Sequence, residues 1–161
     1  MSPDQIHISA AHRDDLAAIM ALEGAAFPEA ERWSERSWLG ELLGEGRTVL
    51  MARVHAPVGV ITVQTVGELA DLHRLVVSPS YRRRGVGTQL TVAAVTAVRQ
   101  LGARAMILEV HYANDPAIAL YGWLGFEQLT ARENYYGPGR HALIMKLYDL
   151  DTWTAPEGKM S

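Results

Sequence analysis

Hydrophobic positions along the chain switch between two periods. Ile6 and Ile8 alternate with polar neighbours, as one face of a strand does. From Asp14 the spacing turns helical: Leu16, Ile19, Met20 and the segment Glu23 to Phe27 share a face, with Asp14 and Asp15 suited to the first turn. Ser34 is placed to N-cap a short helix carrying Trp38, Leu39, Leu42 and Leu43, ended by Gly44 or Gly46. Strand-like runs follow at Thr48 to Val54, Val58 to Val66 and Leu69 to Val77, with Pro57–Val58–Gly59 as the turn entry between the first two. After Pro79 comes the clearest helix, with Val86, Leu90, Ala93, Ala94, Ala97, Val98 and Leu101 on one face and Gly102 at its end. Ala105 to Val110 reads as a buried strand. Asp115 to Trp123 reads as a helix with Pro116 at its first position, and Phe126 to Arg132 and Ala142 to Tyr148 as closing strands around Gly137–Pro138–Gly139.

This order of elements predicts an α/β fold: one domain with a mixed central sheet of about seven strands flanked by four helices. A single domain spans residues 1–150, and residues 151–161 are a C-terminal tail that the sequence leaves open to disorder. The length of 161 residues, 48% hydrophobic and 20% charged, suits one domain with its own core. Cysteine is absent, which excludes disulfides, thiolate metal sites and a cysteine nucleophile. Met1 to Ser9 lack the basic and apolar regions of a secretory leader, and no apolar run approaches a membrane span. A soluble, cytoplasmic protein is expected. The net charge of −3 disfavours nucleic-acid binding.

One basic run needs explaining. Arg82–Arg83–Arg84–Gly85–Val86–Gly87 stands between the end of the strand Leu75–Val76–Val77 and the start of the best helix. Unpaired N–H groups at a helix start, together with the helix dipole, attract phosphate. Gly85 and Gly87 let a diphosphate come close to the backbone, and the arginines supply charge-assisted bonds. Neither the nucleotide P-loop nor the dinucleotide glycine fingerprint is present; the pattern is R-x-x-G-x-G.

Val77 through Gly87 resembles the acetyl-CoA pyrophosphate motif of the GNAT (Gcn5-related N-acetyltransferase) superfamily. Downstream, Glu109 lies within an apolar strand, where an unpaired carboxylate is costly and its pKa would rise. The residues alone leave two readings for Glu109: a general base, or a carboxylate that faces solvent or pairs with an arginine. Tyr121 is either a proton donor or ordinary helix packing.

The segment Leu108 to Phe126 is similar to the second half of many GNATs, especially the RimI-type ribosomal-protein-alanine N-acetyltransferases. Arg132–Glu133–Asn134–Tyr135–Tyr136 with Ala142–Leu143–Ile144–Met145 resembles the ending of that subfamily. The resemblance implies Glu109 as general base, Tyr121 as general acid and Asn114 as a holder of the pantetheine arm. It implies acetyl-CoA binding by Leu75, Val76, Val77, Arg82, Arg83, Arg84, Gly85, Val86, Gly87, Thr88, Asn114 and Tyr121.

The acceptor implied is the N-terminal alanine amine of a small-subunit ribosomal protein. Alternatives are a small-molecule amine, another protein N-terminus, or a catalytically silent acyl-CoA sensor. His111 departs from the arginine common in the family, and Arg140–His141 replace its usual Glu–Asp. Trp33, His73, His111, Tyr135 and Tyr136 are candidates for the acceptor side, and Trp38 for the same groove, with core or rim packing the alternative for each. No group of residues has metal-ligand spacing, so no metal is expected.

Overall fold

The computed structural model describes residues 5–160. The reading of residues 1–9 as leader-free rests partly on residues 1–4, outside that range. Described elements run β1 (His7–Ala10), α1 (Leu16–Ala26), α2 (Glu35–Leu43), β2 (Arg47–Val54), β3 (Ala56–Val66), β4 (Leu69–Val77), α3 (Val86–Gln100), β5 (Ala105–His111), α4 (Asp115–Trp123), β6 (Glu127–Arg132) and β7 (Ala142–Leu147). The strands form one seven-stranded sheet in the order β1-β2-β3-β4-β5-β7-β6. Only β4 and β5 pair in parallel among these strands, which requires the crossover that α3 supplies; the other pairs are antiparallel.

Alternation along the central strands divides the core in two. Met51 and Val60 pack with Ile19, Leu22 and Trp38 of α1 and α2 on one face. Their neighbours Ala52 and Ile61 pack with Val86, Leu90, Ala94, Val95 and Val98 of α3 on the other. Ser34 caps α2 by accepting a hydrogen bond from the Ser37 N–H at 3.0 Å, as its position predicts.

Three expectations need correction. The β2–β3 turn is at His55 (φ 69°), and Pro57–Val58–Gly59 lies inside β3, with Pro57 beside a register shift where its missing donor is tolerated. Gly59 is there for closeness: a Cβ would sit 2.8 Å from the Val86 side chain of α3. Leu101 is 62% exposed, because α3 ends at Gln100 and the chain turns away through Gly102 (φ 98°). The chain also stays packed past residue 150. Leu150 is buried, Trp153 donates its indole N–H to the Leu124 carbonyl at 2.9 Å, and Arg99 reaches the carbonyls of Leu150 and Trp153.

Two irregularities in β4 shape the site. Register passes from Thr62↔Arg74 to Val63↔Leu72, which makes His73 the extra residue of a bulge. The β4–β5 ladder runs from Leu69↔Ala105 to Leu72↔Leu108 and stops there. Beyond Leu72 the two strands part, leaving Leu75, Val76 and Val77 without β5 pairing.

Candidate active site

Gly85 opens α3 as its N-cap in the left-handed region (φ 82°), a conformation that favours glycine. The first helical bond returns from the Gln89 N–H to the Gly85 carbonyl at 3.0 Å. The N–H groups of Val86, Gly87 and Thr88 therefore have no partner within the helix. The space that a Cβ of Gly85 would enter is open, with its nearest neighbour the Gln89 amide at 4.0 Å. Such an open cradle of donors fits the diphosphate of acetyl-CoA. Around it, Arg82 donates to the Ala26 carbonyl at 3.3 Å, Arg83 adopts φ 64°, and Arg84 lies over the Tyr81 ring at 5.1 Å.

Gly87 connects this turn to the chemistry. A Cβ there would meet the Leu120 side chain at 3.3 Å, so the start of α3 packs against α4 one residue before Tyr121. Asn114 caps α4 by accepting from the Ala117 N–H at 3.2 Å. This is a structural duty beside the one the sequence implied. Tyr121 is buried, edge-on to Phe126 with ring centroids 5.5 Å apart, and burial pushes its phenol pKa up. It holds its proton at neutral pH, as a donor must.

Where β4 and β5 separate, a groove of about 640 Å³ opens on the α1–α2 side. Its lining brings together Trp33, His73, Glu109, Tyr135 and Tyr136, five of the residues expected near the acceptor or the base. Asp71, Arg74 and Arg132 line it too. Glu109 takes the solvent-facing, arginine-paired setting that its residue type left open: its side chain is 34% exposed and lies 3.1 Å from the Arg132 guanidinium. The strand is apolar in sequence, but this face opens to the groove.

Two candidates lie elsewhere. His111 stands behind Tyr136, stacked on it at 5.0 Å and on Tyr112 at 5.1 Å, and its Nδ1 accepts from the Ala113 N–H. Trp38 is fully buried and belongs to the core, not the groove. Its indole N–H donates to Glu23 at 3.1 Å.

Sequence reasoning missed the carboxylates that hold the groove wall. Glu23 on α1 is fully buried and takes both Arg74 donors at 2.8 Å, the Trp38 indole and the Trp33 N–H. Arg74, so fixed, lies 3.9 Å from the Phe27 ring centroid and 5.1 Å from that of Trp33. Glu41 on α2 accepts from His73 Nδ1 at 2.7 Å, Thr62 at 3.0 Å and Arg47 at 3.0 Å. Burial acts to raise the Glu41 pKa, but these bonds prevail and lower it. The bond to Glu41 raises the His73 pKa, against the effect of burial. Burial raises the Asp71 pKa, with Glu109 and Glu41 adding to the effect and His73 opposing it. Arg140 reaches Glu31 at 3.4 Å and ties the β6–β7 loop to the segment before α2. No cluster of three metal-ligating side chains occurs among the described residues. No helix there is long and apolar enough to cross a membrane.

Residues 13–126 match the model of the acetyltransferase (GNAT) family. The chain is 33% identical over 148 residues to the [ribosomal protein bS18]-alanine N-acetyltransferase of Salmonella typhimurium, covering 87% of this chain and 95% of the relative. It is 34% identical over 146 residues to the Escherichia coli K12 enzyme of that name, with the same coverage. The crystal structure of the ribosomal-protein-S18-alanine N-acetyltransferase from Escherichia coli superposes with a TM-score of 0.82 at 30% identity, over 96% of this chain and 99% of that one. Arabidopsis thaliana NAA60 in complex with a bisubstrate analogue shares the fold, with a TM-score of 0.80 at 20% identity over 89% of this chain and 98% of that one. With the diphosphate cradle, the parted strands and these matches in place, the chain belongs to the acetyltransferase (GNAT) family and is an acetyl-CoA-dependent N-acetyltransferase.

Proposed function

We propose that this enzyme acetylates the N-terminal alanine amine of a small-subunit ribosomal protein of the bS18 type. The observation that carries the reading is the groove itself. It places Glu109, Trp33, Tyr135 and Tyr136 around one cavity on the side of the sheet away from α3. The relatives named for that acceptor cover 95% of their own length in the match.

When bound, acetyl-CoA supplies the activated acyl group as a thioester. The N–H groups of Val86, Gly87 and Thr88 hold its diphosphate, and Arg82, Arg83 and Arg84 add positive charge beside it. Backbone of Leu75 to Val77, unpaired on the β5 side, is available to orient the acyl arm, with Asn114 at the other wall. Glu109 takes a proton from the arriving ammonium, which leaves a nucleophilic amine. Tyr121 gives its proton to the departing sulfur. Two protons leave the nitrogen in all: Glu109 takes the one from the ammonium and passes it to water, and the second, shed as the amide forms, replaces the one Tyr121 gives to sulfur.

The direct test is to incubate the purified ribosomal protein with acetyl-CoA and enzyme, then locate the acetyl group by peptide mass spectrometry. Acetyl on the N-terminal alanine alone supports the reading. Acetyl on lysine side chains, or none, contradicts it. A small-amine acceptor is the second reading, motivated by Arg140 and His141 in the β6–β7 loop, where the family commonly carries two acids. Preferential turnover of a polyamine would favour it.

A further inference from the structure

The groove holds a carboxylate that the mechanism has not used. Asp71 pairs with Ile107 in the parallel β4–β5 ladder, so it shares a sheet face with Glu109 two residues further along β5. Both line the groove. Glu109 is engaged by Arg132 at 3.1 Å, and Arg74 is spent on Glu23. The cationic neighbour of Asp71 is His73, whose Nε2 lies 3.8 Å from Asp71 Oδ2, too long for a hydrogen bond. The other ring nitrogen of His73 is fixed by Glu41 at 2.7 Å. The bulge at His73 turns this ring toward α2 and leaves its free edge beside Asp71.

The arrangement is two carboxylates around one imidazole, at the end of the groove where the strands part. Arg47, 3.0 Å from Glu41, offsets that carboxylate, so Asp71 is the member of the trio with no cation at hydrogen-bond distance, and it is uncompensated when His73 is neutral. A cation arriving at Asp71 completes the arrangement. The acceptor amine arrives as one, because an N-terminal amine is largely ammonium at neutral pH.

We propose that Asp71 is the docking residue for the acceptor ammonium, with His73 and Glu41 as positioning residues that set its orientation and local charge. The inference rests on reading this groove as the acceptor side. Asp71 holds the ammonium facing Glu109; one proton then passes to Glu109, and the neutral amine is released from Asp71 toward the acyl carbon. The charged and titratable groups around Asp71 and His73 are Glu41 on α2, Arg47 on β2, Glu109 on β5 and Arg132 on β6, with Tyr136 and Arg74 bordering the same cavity.

The test is acceptor kinetics with Asp71→Asn, Asp71→Glu and His73→Gln in the full-length enzyme. Asp71→Asn is expected to raise the acceptor KM at least about tenfold, the loss of one charge-assisted hydrogen bond, with kcat and the acetyl-CoA KM within about threefold. Asp71→Glu restores part of the loss. In the wild type, acceptor KM falls as pH rises through the folded His73 pKa, held above the ordinary histidine value by Glu41, and His73→Gln flattens that dependence. If Asp71→Asn leaves acceptor KM unchanged, or raises both KM values alike, the proposal is overturned.

The acceptor assignment fails separately, by wild-type turnover of a different amine, and the same comparison is then made with that amine. Calorimetric titration of CoA-loaded protein with the free and the N-acetylated peptide needs no turnover. Equal binding of the free peptide by wild type and Asp71→Asn would also overturn the proposal.

Discussion

The Glu109 carboxylate and the Arg132 guanidinium, both lining the groove, meet at 3.1 Å and join β5 to β6 over β7. Both partners are substantially exposed, so the pair is worth about 0–1 kcal/mol and yields readily to an arriving amine. The base proposed for the reaction is thus held at the groove without being locked there. Glu109→Gln should lower kcat by about 10²–10⁴ while acetyl-CoA affinity stays at the wild-type value. Arg132→Gln should leave kcat within severalfold. Steady-state kinetics with both variants checks this; a Glu109→Gln enzyme with unchanged kcat removes the base assignment.

Tyr121→Phe keeps the ring against Phe126 and removes only the proton. Its kcat should fall by about 10²-fold or more, with acetyl-CoA affinity and melting temperature little changed. Equilibrium binding of CoA to the variant separates the alternatives, since loss of affinity would mean that the hydroxyl serves structure.

Glu23→Ala should be the most destabilising single change near the site. It leaves the Arg74 guanidinium and the Trp38 indole without their acceptor in a buried setting, at a cost of about 3–5 kcal/mol. Urea unfolding of the variant measures it. A loss under about 1 kcal/mol would show that water satisfies these groups instead.

The fold was readable because its signals are local. Strand alternation, the α3 stripe, the Ser34 cap and the R-x-x-G-x-G turn each lie within a few neighbouring residues, and each reappears in the structure. Glu23 and Glu41 were not readable in that way. Their partners Arg74 and His73 lie 51 and 32 residues away, and a glutamate on an amphipathic helix normally faces water. Trp38 was open between groove and core because an aromatic suits either setting; Glu23 decides for the core. The setting of Glu109 was open between burial and an arginine partner at a solvent-facing position because its strand neighbours are apolar; the parting of β4 and β5 opens its face and decides for the latter.

Stability should depend on pH through the Glu41–His73 pair. Folding raises the His73 pKa, so that contribution is whole below the ordinary histidine value and fades as pH rises through the folded one. Folding lowers the Glu41 pKa, so its contribution is whole above the ordinary carboxylate value and is lost as pH falls through the folded one. The pair stabilises most between the two ordinary values. The stability gap between wild type and His73→Gln should be widest near pH 5.5 and shrink by about pH 9, as read from urea unfolding across pH. A constant gap would contradict the pairing.

The most direct measurement for the central claim is thiol release from acetyl-CoA against a panel of acceptors. The panel comprises a peptide beginning with alanine from the ribosomal protein, its N-terminally blocked copy, a peptide whose only amines are lysines, and polyamines. Turnover confined to the free alanine terminus is the predicted result. Equal turnover of the blocked peptide, or thiol release with polyamines alone, would contradict it.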